Sequence, residues 1–274
     1  MHSFAVDGTD LGYSDTGQGA AVFLVHAGVF SGWFLPVSQA PALDQFRVIN
    51  IRRAGYGEHV PEHVPMATHA AHLVSLADRL GIAHLHFVGH SSSCQIGLAL
   101  ALQRPDLVAS LVLLEPAPVG GFAVPASAHL AEHIVGPAMQ AFASGDIALA
   151  FDTFMGGVCG DQHRAVMQAS LGEAGVHEAV QQSSFFFRDE VRSVVASTFT
   201  EDDAAQVRQP VLLGEGGDSY TLGPLAAQVT ELARRLLPHA EMAYVPGTTH
   251  MMPLQQPQAV AELIRDFIVR QANG

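Results

Sequence analysis

The sequence predicts an α/β fold with a mostly parallel sheet, and two observations carry this prediction. Short apolar runs rich in β-branched residues alternate with segments of helical periodicity through most of the chain. Between the fourth and the fifth of these apolar runs, a long stretch has helical patterns only. Buried strands joined by helices are typical of parallel sheets with right-handed crossovers. The length of 274 residues is compatible with one large domain of this class.

Six apolar runs are predicted as strands because each is short, β-rich and followed by a turn signal. They cover residues 20–28, 46–57, 84–90, 109–118, 209–218 and 240–250. Four segments carry apolar residues at helical spacing and end at a glycine, a proline or the chain end. These predicted helices cover residues 68–81, 94–105, 223–238 and 257–271.

The stretch from about residue 117 to residue 209 has helical patterns interrupted by glycines and no convincing strand. A helical insertion between two strands of one sheet is expected to lie as a cap over the edge of that sheet. We therefore predict a core formed by residues 1–116 and 207–274, with residues 117–206 inserted as a helical cap.

Composition argues against several classes of partner. The 26 Asp and Glu outnumber the 13 Lys and Arg, and no basic run is present, so we expect no nucleic-acid partner. No apolar run approaches the ~20 residues of a membrane span, and residues 1–15 lack the features of a signal peptide. With only Cys94 and Cys159 there is no disulfide framework, which favours a cytoplasmic location.

The string Gly89-His90-Ser91-Ser92-Ser93 stands between a predicted strand and a predicted helix. Such a strand-to-helix turn with small residues on both sides of a serine is typical of a nucleophile elbow, which exposes the serine hydroxyl. Ser91 occupies the nucleophile position, and the backbone N–H of Ser92 is placed to donate to an oxyanion. The alternative interpretation is that the three serines only cap the following helix.

His250 is the candidate general base among 15 histidines. It follows a predicted strand and a Pro-Gly turn, and it precedes a helix that opens at Pro257. A neutral imidazole with a pKa of about 6.5 is suited to accept a serine proton and return it to a leaving group.

On these motifs the chain resembles the α/β-hydrolase superfamily over nearly its whole length. The resemblance implies an eight-stranded, mostly parallel sheet with helices on both faces and a helical cap. The segment HAGV at residues 26–29 resembles the family's oxyanion loop after the third strand, which implies a second oxyanion donor at the Gly28 amide. The segment from VPGTTH onwards resembles the C-terminal signature of the family and implies that His250 is the base.

Two carboxylates compete for the role of the acid that would orient His250. The family usually places an Asp in the loop after the seventh strand, yet the alignment of this loop puts Ser219, and not Asp218, in that position. Glu115 ends the apolar run LVLLE, at the strand end where the haloalkane-dehalogenase branch of the superfamily holds its acid. A buried carboxylate needs a partner, which His250 would supply, so Glu115 is favoured and Asp218 is the alternative.

Aromatic residues of the predicted cap could bury it against the sheet or line a substrate pocket. We predict that Trp33, Phe154 and Phe186 line the pocket. The string HLAEH at residues 129–133 matches an inverted zinc-protease motif, but no third ligand is evident. We therefore predict no metal site.

Together these features predict a serine hydrolase that cleaves a small or medium apolar ester, lactone or thioester through an acyl-enzyme. The mechanism requires no cofactor, and the protein is expected to be a monomer or a homodimer. The same triad could serve a C–C bond hydrolase, a lyase or a cyclase, because fold alone does not fix the reaction. A ligand receptor on a hydrolase scaffold, without turnover, is the alternative from another class.

Overall fold

One eight-stranded sheet organises the computed structural model, which describes residues 1–120, 122 and 124–272. The strands are β1 His2–Val6, β2 Thr9–Thr16, β3 Ala21–Val25, β4 Arg47–Arg52, β5 Leu85–His90, β6 Val108–Leu114, β7 Val211–Gly216 and β8 Glu241–Val245. Their order is β1-β2-β4-β3-β5-β6-β7-β8. Strand β2 is antiparallel to both neighbours, and the other pairs are parallel, which confirms the predicted fold class.

The hairpin of β1 and β2 was not among the six predicted strands. Strand β1 is mostly exposed, so it lacks the apolar run by which the other strands were found. Its turn, however, carries a sequence signal. Asp7 and Gly8 have φ values of 48° and 76°, and Asp-Gly favours two-residue hairpin turns with two positive φ values.

Twelve α-helices accompany the sheet in the described part of the chain. They are α1 Leu35–Ser38, α2 Met66–Arg79, α3 Ser93–Gln103, α4 Pro125–Leu130, α5 Gly136–Ala143, α6 Ile147–Cys159, α7 His163–Phe185, α8 Val191–Ala196, α9 Glu201–Ala204, α10 Leu225–Leu236, α11 Met252–Gln255 and α12 Pro257–Ala272. The four predicted helices correspond to α2, α3, α10 and α12. No described helix is long and apolar enough to cross a bilayer.

The central strands of the sheet are buried on both faces, as their apolar sequences require. Side chains alternate along β3: Phe23 and Val25 join the cluster that contains residues of α2, α3 and α10, whereas Val22 and Leu24 join the cluster under α12. This two-sided burial holds the ends of the central strands in fixed positions relative to one another. The loops that leave those ends carry the candidate site residues.

The chain between β6 and β7 forms helices α4 to α9, and we refer to residues 117–206 as the helical segment. Two π-helical turns, Ala131–Val135 and Phe186–Glu190, interrupt it. A third apolar cluster joins its side chains, such as Phe151 and Phe187, to Trp33 after β3. The helical segment therefore packs over the ends of the central strands.

Candidate active site

Ser91 stands at the sharp turn between β5 and α3, with φ of 55°. The turn is held by Ser93, whose Oγ accepts from the His90 amide at 2.8 Å and donates to the Val25 carbonyl at 2.6 Å. Ser92 is the N-cap of α3, but it makes no side-chain capping hydrogen bond. Its hydroxyl donates instead to Glu190 at 2.7 Å. The capping interpretation therefore lacks the hydrogen bond on which it depends.

Three non-glycine residues with positive φ lie at or beside this turn. Val29, Ser91 and Glu115 have φ values of 77°, 55° and 47°, and the fourth such residue in the described chain is the hairpin residue Asp7. Positive φ is a strained conformation for residues with a Cβ, above all for β-branched valine, and such strain concentrates at functional sites. The three strained residues follow β3, β5 and β6, so three neighbouring strands end in unusual geometry at one edge of the sheet.

The buried Glu115 pairs with the partly buried His250. The Nδ1 of His250 lies 3.2 Å from Glu115 Oε2, and the Glu115 side chain is 3% exposed. The other carboxylate oxygen accepts hydrogen bonds from the Gly216 amide, at 2.7 Å, and from the Ser219 hydroxyl. Burial alone would raise the pKa of Glu115, but the His250 contact and the two other donors bring that pKa below its ordinary value. The carboxylate is thus held ionised beside the imidazole.

Asp218, the alternative acid, is exposed. Its backbone amide donates to the Thr248 carbonyl at 2.8 Å, and its carbonyl accepts from Thr221. Within the described residues, no hydrogen bond joins its carboxylate to His250. The neighbouring Ser219, in the position aligned with the usual family acid, is buried and donates to Glu115.

The loop after β3 is fixed by His26 and Trp33. The Arg53 amide donates to His26 Nε2 at 3.1 Å, so the ring proton is on Nδ1, which donates to the Ala27 carbonyl at 2.6 Å. Burial, then the charge of Arg53, holds the pKa of His26 well below its ordinary value. The indole N–H of Trp33 donates to the Gly28 carbonyl at 2.9 Å. These hydrogen bonds hold the loop at Gly28 beside the end of β5.

His90, the residue before Ser91, packs against His250, with ring centroids 4.6 Å apart. The ring of Trp33 also contacts His90, at a centroid distance of 4.7 Å. Burial, then the neighbouring His250, holds the pKa of His90 well below its ordinary value, so His90 presents a neutral ring to His250. No sequence prediction included His90 as a site residue, although its place inside the elbow string was available as a signal.

A cavity of about 540 Å³ brings the predicted site residues together. Ser91, His250 and Glu115 line it, together with Gly28 and Ser92. Its lining also includes the three predicted pocket residues Trp33, Phe154 and Phe186. Aliphatic side chains of the helical segment and of the chain after β7 form much of the remaining wall, including Leu130, Ile134, Val158, Val194, Leu222 and Leu225. No arginine is among the described lining residues.

Glu190 is a buried carboxylate next to this cavity that the sequence predictions missed. It belongs to the π-helical turn of the helical segment, and it accepts hydrogen bonds from Ser92, Arg53 and Tyr56. Its partners lie far away in sequence, after β4 and β5. No local pattern marks a residue whose contacts are all made across the fold.

The rings of His129 and His133 lie 4.3 Å apart. Among the described residues, no three His, Cys, Asp or Glu side chains are grouped so that they could hold a metal ion. The HLAEH match therefore gains no third ligand from the fold.

The comparisons with known proteins agree with this architecture. Residues 22–263 match the model of the alpha/beta hydrolase family. This match covers most of the chain, so the protein belongs to the alpha/beta hydrolase family. The resemblance seen in the sequence motifs is thereby confirmed.

Several curated relatives bear hydrolase names. A Klebsiella pneumoniae (strain 342) protein named "Putative carbamate hydrolase RutD" is 37% identical over 100 residues, which cover 35% of this chain and 38% of the relative. The chain thus spans little more than a third of that relative's length. A Caulobacter sp. (strain K31) protein of the same name is 26% identical over 256 residues, 88% of each chain.

Two solved structures share the fold. The enol-lactonase from Burkholderia xenovorans LB400 has a TM-score of 0.77 at 20% identity, and covers 98% of this chain and 100% of its own. A thermophilic esterase from Thermogutta terrifontis has a TM-score of 0.75 at 20% identity, and covers 98% of this chain and 97% of its own. At this level of identity the likeness concerns the fold alone.

Proposed function

We propose that this protein is a serine hydrolase that cleaves small or medium, neutral and apolar esters, lactones or thioesters through an acyl-enzyme. The observation that carries the proposal is the common cavity. It is lined by the serine of the elbow, Ser91, and by the hydrogen-bonded pair of His250 and Glu115. A strained serine and a histidine paired with a buried carboxylate, all at one apolar cavity, are the parts that acyl transfer requires.

In the proposed reaction, Ser91 Oγ attacks the acyl carbonyl while His250 Nε2 accepts the hydroxyl proton. The same nitrogen then protonates the leaving group, and in the second half it deprotonates the water that cleaves the acyl-enzyme. Glu115 accepts the Nδ1 proton in a hydrogen bond, which orients the ring and stabilises the imidazolium. The lowered pKa of Glu115 supports this role, because only the ionised carboxylate offers both effects.

Charge that develops on the carbonyl oxygen would be stabilised by the backbone N–H groups of Gly28 and Ser92. Both residues line the cavity beside Ser91. Loss of one such donor lowers kcat by about 10²–10³-fold in serine hydrolases. Small displacements of either amide would therefore lower kcat.

The substrate class follows from the cavity. Its wall is largely aliphatic and aromatic, and no described lining residue is an arginine that could pair with an anionic substrate. A volume of about 540 Å³ suits an acyl group of small to medium size. In this proposal, the helical segment acts as the cap that encloses the acyl group. Relatives named for carbamate hydrolysis add carbamates to the substrates worth testing.

The test combines labelling with kinetics. A fluorophosphonate should form one adduct, mapped by mass spectrometry to Ser91, and p-nitrophenyl esters of increasing acyl length should be turned over. Ser91→Ala should abolish the adduct and lower kcat/KM by at least about 10⁴-fold. Ser184→Ala, which removes a hydroxyl bonded within α7 at the Gln181 carbonyl, is the matched control and should retain wild-type rates.

The alternatives give different results in the same assay. A C–C hydrolase, lyase or cyclase would leave simple esters, lactones and carbamates untouched while the protein stays folded. A receptor would bind such compounds with one turnover at most. Either result, or full ester turnover by Ser91→Ala, contradicts the proposed esterase.

A further inference from the structure

The carboxylate of Glu190 is buried completely, and its partners come from two distant parts of the core. Arg53, 1% exposed, donates from Nη2 to both carboxylate oxygens, at 2.9 Å and 3.1 Å. The phenol of Tyr56 donates to Oε2. The hydroxyl of Ser92 donates to Oε1 at 2.7 Å. One carboxylate of the helical segment thus holds the loop after β4 and the turn after β5.

Through these partners, the ion pair reaches both proposed oxyanion donors. Ser92, whose amide is one donor, is held by its own side chain at Glu190. The same Arg53 nitrogen that binds Glu190 also donates to the Ala27 carbonyl at 3.1 Å, directly before the second donor, Gly28. The packing is close: a methyl group at Gly28 would lie 2.7 Å from the Phe186 ring and 3.1 Å from Glu190 Oε1.

Stability does not explain this arrangement well. Burial of an ion pair removes two charges from water, and apolar residues of similar volume often do as well or better. A negative charge close to a developing oxyanion is also unfavourable unless it is neutralised. Arg53 supplies that neutralisation. The ion pair fixes the position of the helical segment relative to the two loops that carry the donors.

We propose that Glu190 is a positioning residue that ties the helical segment to the oxyanion donors Gly28 and Ser92. The inference rests on the proposed function, because it gives Glu190 a role in the same reaction. Oxyanion donors act mainly in the transition state, so a displaced donor lowers kcat and leaves KM nearly unchanged.

The main variant is Glu190→Gln, which keeps the size and an acceptor but removes the charge that binds Arg53. We expect kcat to fall by about 10- to 100-fold, the range that a displacement of about 1 Å produces, with KM changed less than about twofold. The affinity for a boronic acid, whose tetrahedral adduct on Ser91 places an oxygen at the donors, should fall by a similar factor.

Asp189→Asn is the matched control. Asp189 is the neighbouring buried carboxylate of the same π-helical turn, and it binds His63 and the Val64 amide without a contact to Ala27, Gly28 or Ser92. This variant should lower the melting temperature as Glu190→Gln does, with kcat and boronic acid affinity close to those of the wild type. Equal kcat losses in the two variants, or unchanged kcat in Glu190→Gln, overturn the inference.

Ser92→Ala provides a second test that leaves the buried ion pair intact. Its kcat should fall, but by less than that of Glu190→Gln, because it removes only the side-chain hydrogen bond that holds one donor and leaves the Arg53 contact to Ala27 in place. A Ser92→Ala variant with wild-type kcat, or with a larger loss of kcat than Glu190→Gln, overturns the inference. A wild-type enzyme that forms no adduct at Ser91 overturns the proposed function, and the inference with it, whereas the variant comparisons overturn the inference alone.

Discussion

The chain that follows β6 and the chain that follows β7 each carry a carboxylate that could have partnered His250, but their surroundings differ. Glu115, the first residue after β6, is buried, has φ of 47° and accepts hydrogen bonds from two donors besides the His250 contact. Asp218, two residues after β7, is exposed and is held through its backbone. The strand whose following loop usually holds the acid in this family here supplies donors to the proposed acid, Glu115, on the neighbouring strand.

This difference bears on what the proposed triad requires of its acid. A carboxylate next to a histidine must be both oriented and kept ionised, and burial works against ionisation unless donors compensate. The last residue of β7 and the loop after it provide that compensation through the Gly216 amide and the Ser219 hydroxyl. The two loops therefore form one functional unit, although only one of them holds the proposed acid.

The largest expected effect separates the two carboxylates directly. Glu115→Gln should lower kcat by about 10⁴-fold, because an amide in place of the carboxylate favours the wrong imidazole tautomer and cannot stabilise the imidazolium. Asp218→Asn should keep kcat within about twofold, because the exposed side chain does not contact His250. Steady-state kinetics on the best p-nitrophenyl ester, with circular dichroism to verify folding, measure both values.

The reverse ranking, with Asp218→Asn as the inactive variant, would show that Asp218 is the acid in the working enzyme. Equal and small losses in the two variants would show that neither carboxylate orients His250.

A smaller change in kcat is expected when the carboxylate is transferred from the end of β6 to the loop after β7. In the Glu115→Gln background, Ser219→Asp would place a carboxylate where the Ser219 hydroxyl now approaches residue 115. We expect kcat to recover by about tenfold or more, because a carboxylate near the ring again favours the charged imidazole. Asp218→Glu in the same background is the control and should give no recovery. Failure of the Ser219→Asp rescue would mean that the backbone after β7 cannot direct an acid toward His250.

The smallest expected effect is the pH dependence of stability. The pKa of Glu115 is lower in the folded protein than its ordinary value of 4.5, so folding favours the ionised carboxylate. This contribution is present above that ordinary value and is lost as pH falls through the lowered, folded-state pKa. We measure the free energy of unfolding of wild type and of Glu115→Gln by urea denaturation. The excess of the wild-type value over the variant value should therefore be smaller at about pH 4 than at about pH 7. A wild-type advantage that grows toward acid pH would mean that folding raises the pKa of Glu115.

Local sequence signals were sufficient for the sheet and for parts of the site. Strands β3 to β8 were predicted because each is an apolar run, and the elbow at Ser91 was predicted because small residues stand where the backbone must turn sharply. The exposed strand β1 was missed because burial, and not β-structure itself, produces the pattern that was used. His250 and Glu115 were predicted from a family resemblance and from the cost of burying a carboxylate, and their catalytic roles stay predictions.

By itself the sequence determined the alternation of strands and helices and the turn at Ser91, because these depend on residues that are neighbours in the chain, and the family resemblance added two possible acids. Only the tertiary structure decided that Ser219 donates to Glu115, that Asp218 stays exposed and that Glu190 reaches Ser92. The two hydrogen bonds join residues that lie far apart in the chain. Their formation depends on how the helical segment and the strand ends pack together, which no local pattern encodes.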